Sequence, residues 1–376
     1  MPEKWEKVKL SDVATIKYGK DHKKLDDGKI PVYGTGGVMR YVDTPLYGKK
    51  SVLIPRKGSL GSLFFVEKPF WTVDTLFYTE IDENRIIPEY LYYKLKTFDL
   101  ANMNVGSAVP SLTTAILNPI EFELPPIEVQ SEIAKTLGVL DKKIESNKEI
   151  NHHLSVIVQA IFNSWFVDYV PFGGTLPSEW KEVDFDEIST VQNGYAFKSK
   201  DYVSDGVRMI RTTNFDNGYV NNNDLIMLPS EFYNDAKYRN FVLKKFDTVL
   251  VMVGASVGKI SLITELNTPA LQNQNMWRFR SIIPEIPESF IHFNVKRIND
   301  QVRGWSSGSA RDFYRKDIFK KAKVYLPTSQ VLDDFSKITM PIFEQISNNI
   351  LENDKLIKAR DSLLPKLMSG EVSVTD

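Results

Sequence analysis

The chain has no cysteine among its 376 residues. That absence removes disulfides, thiolate metal sites and cysteine nucleophiles together, and it fits a reducing, intracellular setting. Histidine is nearly as scarce. The four are His22, His152, His153 and His292. The adjacent pair His152-His153 falls in a helical stretch, where neighbours point to different faces and cannot chelate one ion together. An excess of charge is missing too. The net charge is −1 and the pI about 6.5, which excludes a uniformly basic nucleic-acid coat but leaves room for a local basic patch. No apolar run approaches the ~20 residues of a membrane span. The opening Met-Pro-Glu-Lys-Trp-Glu-Lys lacks the apolar core of a secretory signal. A cytoplasmic protein without membrane association is expected. Apolar residues at 42% and aromatics at 12% are ample for packed cores, and the length suggests two or three domains.

What is present is a repeat. Trp5–Gly19 aligns with Trp180–Gly194 at a constant offset of 175: Trp5 with Trp180, Val8 with Val183, Thr15 with Thr190 and Gly19 with Gly194. Val52-Leu53 and Ser59-Leu60-Gly61 meet Val249-Leu250 and Ser256-Val257-Gly258 at 197. Gly106-Ser107-Ala108 meets Gly308-Ser309-Ala310, and Leu124-Pro125 meets Leu326-Pro327, at 202. The chain is two copies of one unit, each a globular part followed by a long helix.

The globular parts read as mixed α/β (α+β). Lys50–Pro55 and Ser62–Val66 are rich in β-branched and aromatic residues and predict strands, with glycines as turns between them. Pro88 opens a short helix, with proline in its first turn. The expected divisions are a globular part at 1–126, a helix at 127–166, a link at 167–177, a second globular part at 178–327 and a second helix at 328–376.

In the first helix Ile133, Leu137, Leu140, Ile144, Asn147, Asn151, Leu154, Val158, Ile161 and Trp165 follow alternating steps of four and three. This is a coiled-coil seam carrying two asparagines. About 38 residues at roughly 1.5 Å each span about 57 Å. The seam recurs at an offset of 202 through Phe335, Thr339, Ile342, Ile346, Asn349, Asn353, Leu356, Arg360, Leu363 and Leu367, so both asparagines fall on asparagines. A seam asparagine fixes register, because only the correct pairing satisfies its amide. Halves that pair through equivalent surfaces imply a local two-fold axis, which makes the helices antiparallel, with the globular parts at opposite ends of a rod. Pro341 interrupts the second pattern and predicts a kink or break there; Pro365 predicts a disturbed end.

Catalytic constellations are hard to find. Gly254-Ala-Ser-Val-Gly258-Lys259 has three residues between its glycines where a phosphate loop needs four, and Ile260 follows where Ser or Thr should. Asp168, Glu179 and Lys181 loosely resemble a nuclease pattern, but Glu179 aligns with Lys4 and Lys181 with Glu6, the exchange expected of solvated residues. Asn118-Pro119-Ile120 lacks the second proline and aromatic of an adenine methyltransferase motif. No metal site is expected.

Polar and basic clusters occupy the turns of both copies. The first has Lys20, Lys23, Lys24, Arg56, Lys57, Ser59 and Ser107. The second has Lys198, Lys200, Arg211-Thr212-Thr213-Asn214, Lys259, Gln272-Asn273-Gln274-Asn275, Ser309 and Arg311. Arginine and lysine suit guanine edges, asparagine and glutamine suit adenine edges, and lysine, serine and threonine also hold phosphates. Gln272–Asn275 is the stretch best suited to reading bases. The halves diverge most in these clusters and least in framework residues.

Three stretches, Leu124–Ile144, Gln159–Tyr169 and Ser362–Val372, together with Pro2/Trp5 and Pro177/Trp180 opening each half, resemble the specificity subunit of type I restriction–modification enzymes. The resemblance covers essentially the whole chain. It implies two target-recognition domains separated by antiparallel helices, each reading one half of a bipartite, asymmetric site on double-stranded DNA. It also implies two methyltransferase (modification) subunits docked along the helices and restriction (motor–nuclease) subunits joining them. S-adenosylmethionine, ATP and Mg would then reside on those partners, with no cofactor on this chain and no catalysis by it. A stand-alone DNA methyltransferase or nuclease, or a coiled-coil scaffold that never touches DNA, are the alternative readings.

Overall fold

A computed structural model describes residues 5–103, 111–305 and 314–374. The chain divides into two compact units, Met1–Ile144 with Leu356–Asp376, and Glu145–Lys355. The first unit is discontinuous because the end of the second long helix packs into it. Leu364, Leu367 and Met368 share a core with Leu10, Tyr90, Ile133 and Leu137. Buried Lys94 donates Nζ to the Met368 carbonyl at 3.0 Å, satisfying an acceptor that the helix end leaves open.

Each unit is built on the same four antiparallel strands, which in the second unit are extended to a six-stranded sheet by Tyr219–Val220 and Phe215–Asp216. In the first unit the order is Ala14–Tyr18, Leu76–Ile81, Ser51–Pro55, Phe64–Val66; in the second it is Ser189–Asn193, Met276–Ser281, Thr248–Val251, Ile260–Leu262. The strands Ser51–Pro55 and Thr248–Val251 are wholly buried, with Val52, Leu53 and Ile54 and their counterparts Val249, Leu250 and Val251 filling both faces. A helix covers one side, Pro88–Lys96 or Glu288–Trp305. A two-stranded ribbon closes each unit beside its long helix, Glu6–Lys9 with Glu121–Leu124 and Lys181–Asp184 with Lys323–Leu326.

A second, smaller sheet lies beside each main one. In the first unit Asp27–Gly34 pairs antiparallel with Gly37–Val42 and parallel with Trp71–Thr72. In the second, Val207–Ile210 pairs antiparallel with Ile226–Leu228 and parallel with Ala270–Gln272. The tight turn at Thr35-Gly36 in the first unit thus corresponds to a long excursion over 211–225 in the second.

The long helices run Ile127–Phe166 and Ser329–Met368, 40 residues each. Ile133, Leu137, Ile144, Asn147, Asn151, Ile346, Asn349 and Asn353 are buried, with Leu140, Leu154, Ile342 and Leu356 partly so. The helices pair antiparallel within each unit. In the second unit Asn147 Nδ2 donates to Asn353 Oδ1 at 2.9 Å, Asn349 Nδ2 donates to Asn151 Oδ1 at 2.8 Å, and Trp165 stacks near Phe335. Each asparagine thus meets the repeat image of the other, the signature of an isologous two-fold. In the first unit Arg360 Nη1 donates to Asp141 Oδ1 at 2.6 Å, and Asp141 Oδ2 accepts from the Tyr93 hydroxyl at 2.7 Å.

The break expected at Pro341 does not occur, nor does one at Pro365; the second helix is continuous through both. Proline removes one backbone donor, the one that would reach the carbonyl of exposed Lys337, but the neighbouring turns are anchored. Phe335, Thr339 and Phe343 are buried. Thr339 Oγ1 donates to the Phe335 carbonyl at 2.9 Å and lies 2.7 Å from Ser289 Oγ. Burying two phenylalanines is worth about 3–6 kcal/mol, enough to offset a proline cost of about 3 kcal/mol.

Candidate nucleic-acid interface

The loops singled out from sequence hang on a backbone scaffold that is the same in both units. Gly19 and Gly194 are required for space. A Cβ on Gly19 would stand 2.1 Å from the Val73 carbonyl oxygen, and one on Gly194 1.8 Å from that of Asn273. The turns so approached, Thr72–Thr75 and Gln272–Asn275, are then held by matching amides. Lys20 N–H donates to the Thr72 carbonyl and Tyr195 N–H to that of Gln272, Arg56 N–H to Thr75 and Met252 N–H to Asn275, Val73 N–H to Tyr33 and Asn273 N–H to Ile210. The repeat extends to Leu112 N–H on the Arg56 carbonyl and Tyr314 N–H on that of Met252.

In the first unit this scaffold brings Lys20, Arg56 and Lys57 around one turn. Arg56 Nη1 donates to the Asp74 carbonyl at 3.2 Å, and its guanidinium lies 5.3 Å from the Tyr18 ring centroid, a cation–π contact that leaves both groups partly open. Lys20, Lys23, Lys24, Lys57 and Ser59 are exposed. Lys23 corresponds to Lys198 at the offset of 175.

In the second unit Lys198, Lys200, Thr213, Lys259, Gln274 and Asn275 are exposed, with Thr212 and Asn273 partly so. Asn275 takes a left-handed φ of 70° at the tip, a conformation asparagine tolerates. Two residues expected to read bases are committed inside the fold. Gln272 is fully buried, and its Nε2 donates to the Gln192 and Met276 carbonyls at 3.1 and 3.0 Å. Asn214 is buried, its Oδ1 accepting from Arg211 N–H and its Nδ2 donating to the Asn223 carbonyl. Both shape turns from inside the fold and present no exposed edge to an external ligand, although the buried Gln272 Oε1 has no partner. Arg211 is half committed, with Nη2 on the Asp224 carbonyl at 2.7 Å while Nε has no partner. Ser107, Ser309 and Arg311 lie outside the described residues.

Much of the second unit's remaining basic charge is also internal. Arg280 Nε donates to buried Asp247 at 2.6 Å. Arg278 donates to the Asn240 and Val242 carbonyls, and burial pushes its guanidinium down to about 10. Lys237 is a surface cation that the sequence clusters missed. Its Nζ sits over the Tyr238 and Tyr195 rings at 4.8 and 5.7 Å, and hydrogen bonding to those phenols raises its affinity for a proton. Its only sequence signal was a lone lysine beside a tyrosine.

Among the described residues no group of three His, Cys, Asp or Glu side chains could hold a metal ion. His292 lies against Thr248 Oγ1 at 3.0 Å, and burial pushes it down to about 3, so it is a neutral core residue at physiological pH. No helix among the described residues is long and apolar enough to cross a membrane.

The likeness to known proteins runs over the whole repeat. The family model described as the type I restriction modification DNA specificity domain matches residues 2–155 and again 177–359. The MjaVIII specificity subunit, a type I restriction enzyme subunit of Methanocaldococcus jannaschii, is 25% identical, covering 100% of this chain and 94% of the relative. The HindI specificity subunit of Haemophilus influenzae is 24% identical over 88% of this chain and 89% of the relative. The crystal structure of a type I restriction–modification S subunit from M. genitalium has the same fold, with a TM-score of 0.65 at 18% identity, covering 97% of this chain and 96% of that one. Two copies of the family's domain, each on its own copy of one framework, make this chain a member of the type I restriction–modification specificity subunits, the non-catalytic DNA-recognition components of those enzymes.

Proposed function

We propose that each compact unit reads one half of a bipartite, asymmetric sequence on double-stranded DNA, that the two long helices fix the spacing of the half-sites, and that the same helices hold two methyltransferase subunits, which restriction subunits join. The observation that carries this reading is the contrast inside the repeat. Both units keep the same sheet and the same backbone bonds around Thr72–Thr75 and Gln272–Asn275, while the side chains displayed there differ. Phosphate contacts position a protein on the duplex and base contacts specify. Exposed Lys20, Lys57, Lys198 and Lys259 suit the first task, and Gln274 and Asn275 suit the second. S-adenosylmethionine, ATP and Mg belong to the partners, this chain holding none, and the complex works in the cytoplasm, where its DNA is. With a net charge of −1, the isolated chain binds DNA weakly and with a steep salt dependence.

Methylation-aware sequencing of host DNA with and without the gene tests the reading. A bipartite motif should appear only with the gene. Gln274→Ala should relax or change one half of that motif, and Lys57→Glu should lower modification while leaving the bases of the other half unchanged. Methyl transfer or cleavage by the purified chain alone, or a contiguous single-part motif, would overturn it.

A further inference from the structure

The ribbon formed by Asp27–Gly34 and Gly37–Val42 displays apolar side chains. Val38, Met39 and Tyr41 are 46%, 61% and 54% exposed. The strand pairing slips at this point: Val32 faces Arg40 and Tyr33 faces Val38, which leaves Met39 as the extra residue of a bulge. A bulge re-aims the side chain it carries. Gly34 makes room for the result, since a Cβ there would stand 2.5 Å from Met39 Sδ.

Lysine-bearing loops flank this ribbon on both sides, the one over 20–27 also carrying Asp21, Asp26 and Asp27. Arg40 Nη2 donates to the Leu25 carbonyl at 3.1 Å, which ties the ribbon to the loop bearing Lys20, Lys23 and Lys24. At the tip, Thr35 Oγ1 lies 3.7 Å from the position a Cβ on Gly58 would take, which sets the turn beside Lys57 and Ser59. An apolar ridge with exposed Lys20, Lys23 and Lys24 on one side and Lys57 on the other matches a DNA groove, with its bases in the floor and phosphates on both walls. The major groove admits a two-stranded ribbon, and the apolar group exposed on its floor is the C5 methyl of thymine.

We propose that the ribbon enters the major groove of one half-site and that Met39, with Tyr41 on the same face of its strand, reads a thymine methyl while the flanking lysines hold the phosphates. This rests on the DNA-reading role proposed above. It commits the first unit to a half-site containing thymine. In the second unit the corresponding stretch is the excursion over 211–225, whose short hairpin of Phe215–Asp216 and Tyr219–Val220 has no register slip.

The test uses the assembled complex and a duplex carrying its own motif as mapped from host DNA. Each thymine is replaced in turn by deoxyuridine, which removes only the methyl. At one or two positions in one half-site the wild-type complex should bind about three- to five-fold more weakly, the worth of about one buried carbon. The Met39→Ala complex should bind both duplexes equally, and Met39→Leu should recover part of the discrimination. Equal methyl sensitivity in wild type and Met39→Ala, or none anywhere in the motif, overturns the proposal. So does a Met39→Ala complex that binds DNA as wild type but loses a subunit on gel filtration, because the ridge would then be a protein-docking surface. A wild-type complex that produces no motif at all instead defeats the parent reading, and this one with it.

Discussion

The two units solve one folding problem with one scaffold and then part company at two places. At the candidate interface, the first unit makes a tight bulged ribbon and the second a long excursion pinned by Asn214. Where the globular part meets the long helices, the first unit uses Tyr93, Asp141 and Arg360, a hydrogen-bonded polar trio. The corresponding positions in the second unit are Phe293, Phe343 and Val158, three members of one apolar core. The difference teaches that the framework tolerates opposite chemistry at the same point, provided each group finds a matched partner. A lone carboxylate among the second unit's phenylalanines would be costly. The trios therefore also distinguish which globular part belongs on which helix ends.

That comparison can be broken or sharpened at three points. The largest effect should come from a carboxyl with no counterpart. Burial holds Glu288 up to about 7, from an ordinary value of 4.5, even though Ser281 N–H donates to it; the corresponding residue of the first unit is Pro88. Below 4.5 both folded and unfolded chains are protonated there. As pH rises towards 7 the unfolded chain releases a proton that the folded one keeps, so stability falls across that window and then levels off. The fall should be on the order of 3 kcal/mol, confined to the second unit. Calorimetry at pH 5 and 7.5 should show Glu288→Gln flattening it, and a slope that survives the substitution would place its origin elsewhere.

Next come the shared glycines. Gly19→Ala and Gly194→Ala should each cost about 2 kcal/mol by forcing a backbone carbonyl aside, with hydrogen exchange rising around Thr72–Thr75 in one variant and around Gln272–Asn275 in the other. A marked effect in one unit alone would end the equivalence of the two turns. The smallest effect concerns the polar trio. Arg360 and Asp141 keep side-chain exposures of 17% and 27%, so Arg360→Leu should cost only about 1 kcal/mol. Adding Asp141→Phe and Tyr93→Phe to Arg360→Val, which transplants the apolar trio, should recover it in thermal melting.

The sequence made the helices legible because their signal is long. The expected span of 127–166 is the helix observed, and the asparagine coincidence identified residues that pair across the seam. Pro341 misled because local propensity was weighed without the buried Phe335 and Phe343 on either side. In the candidate interface, residue type pointed to turns but could not separate exposed side chains from buried ones. Gln272 and its neighbour Gln274 look alike on paper, yet strand alternation and the Gly194 contact bury one and expose the other. The exposure of Met39 arises from a one-residue slip in strand pairing that no local sequence pattern announces. The compact units were obscured for a related reason: the first is completed by residues more than two hundred positions away.

The turns at Thr72–Thr75 and Gln272–Asn275 are fastened by main-chain amides, by the bare Cα of a glycine and by side chains that lie off the tips, such as Arg56 and buried Gln272. Folding therefore exerts little selection on the side chains displayed at the tips, such as Asp74 and Gln274, whereas the left-handed backbone at Asn275 narrows the choice there. Such positions can drift through many identities at nearly constant stability. Under the proposed function, a lineage carrying this chain could move from one DNA target to another by single substitutions, each intermediate still a folded protein, and could revise one half of its target while the other stayed fixed.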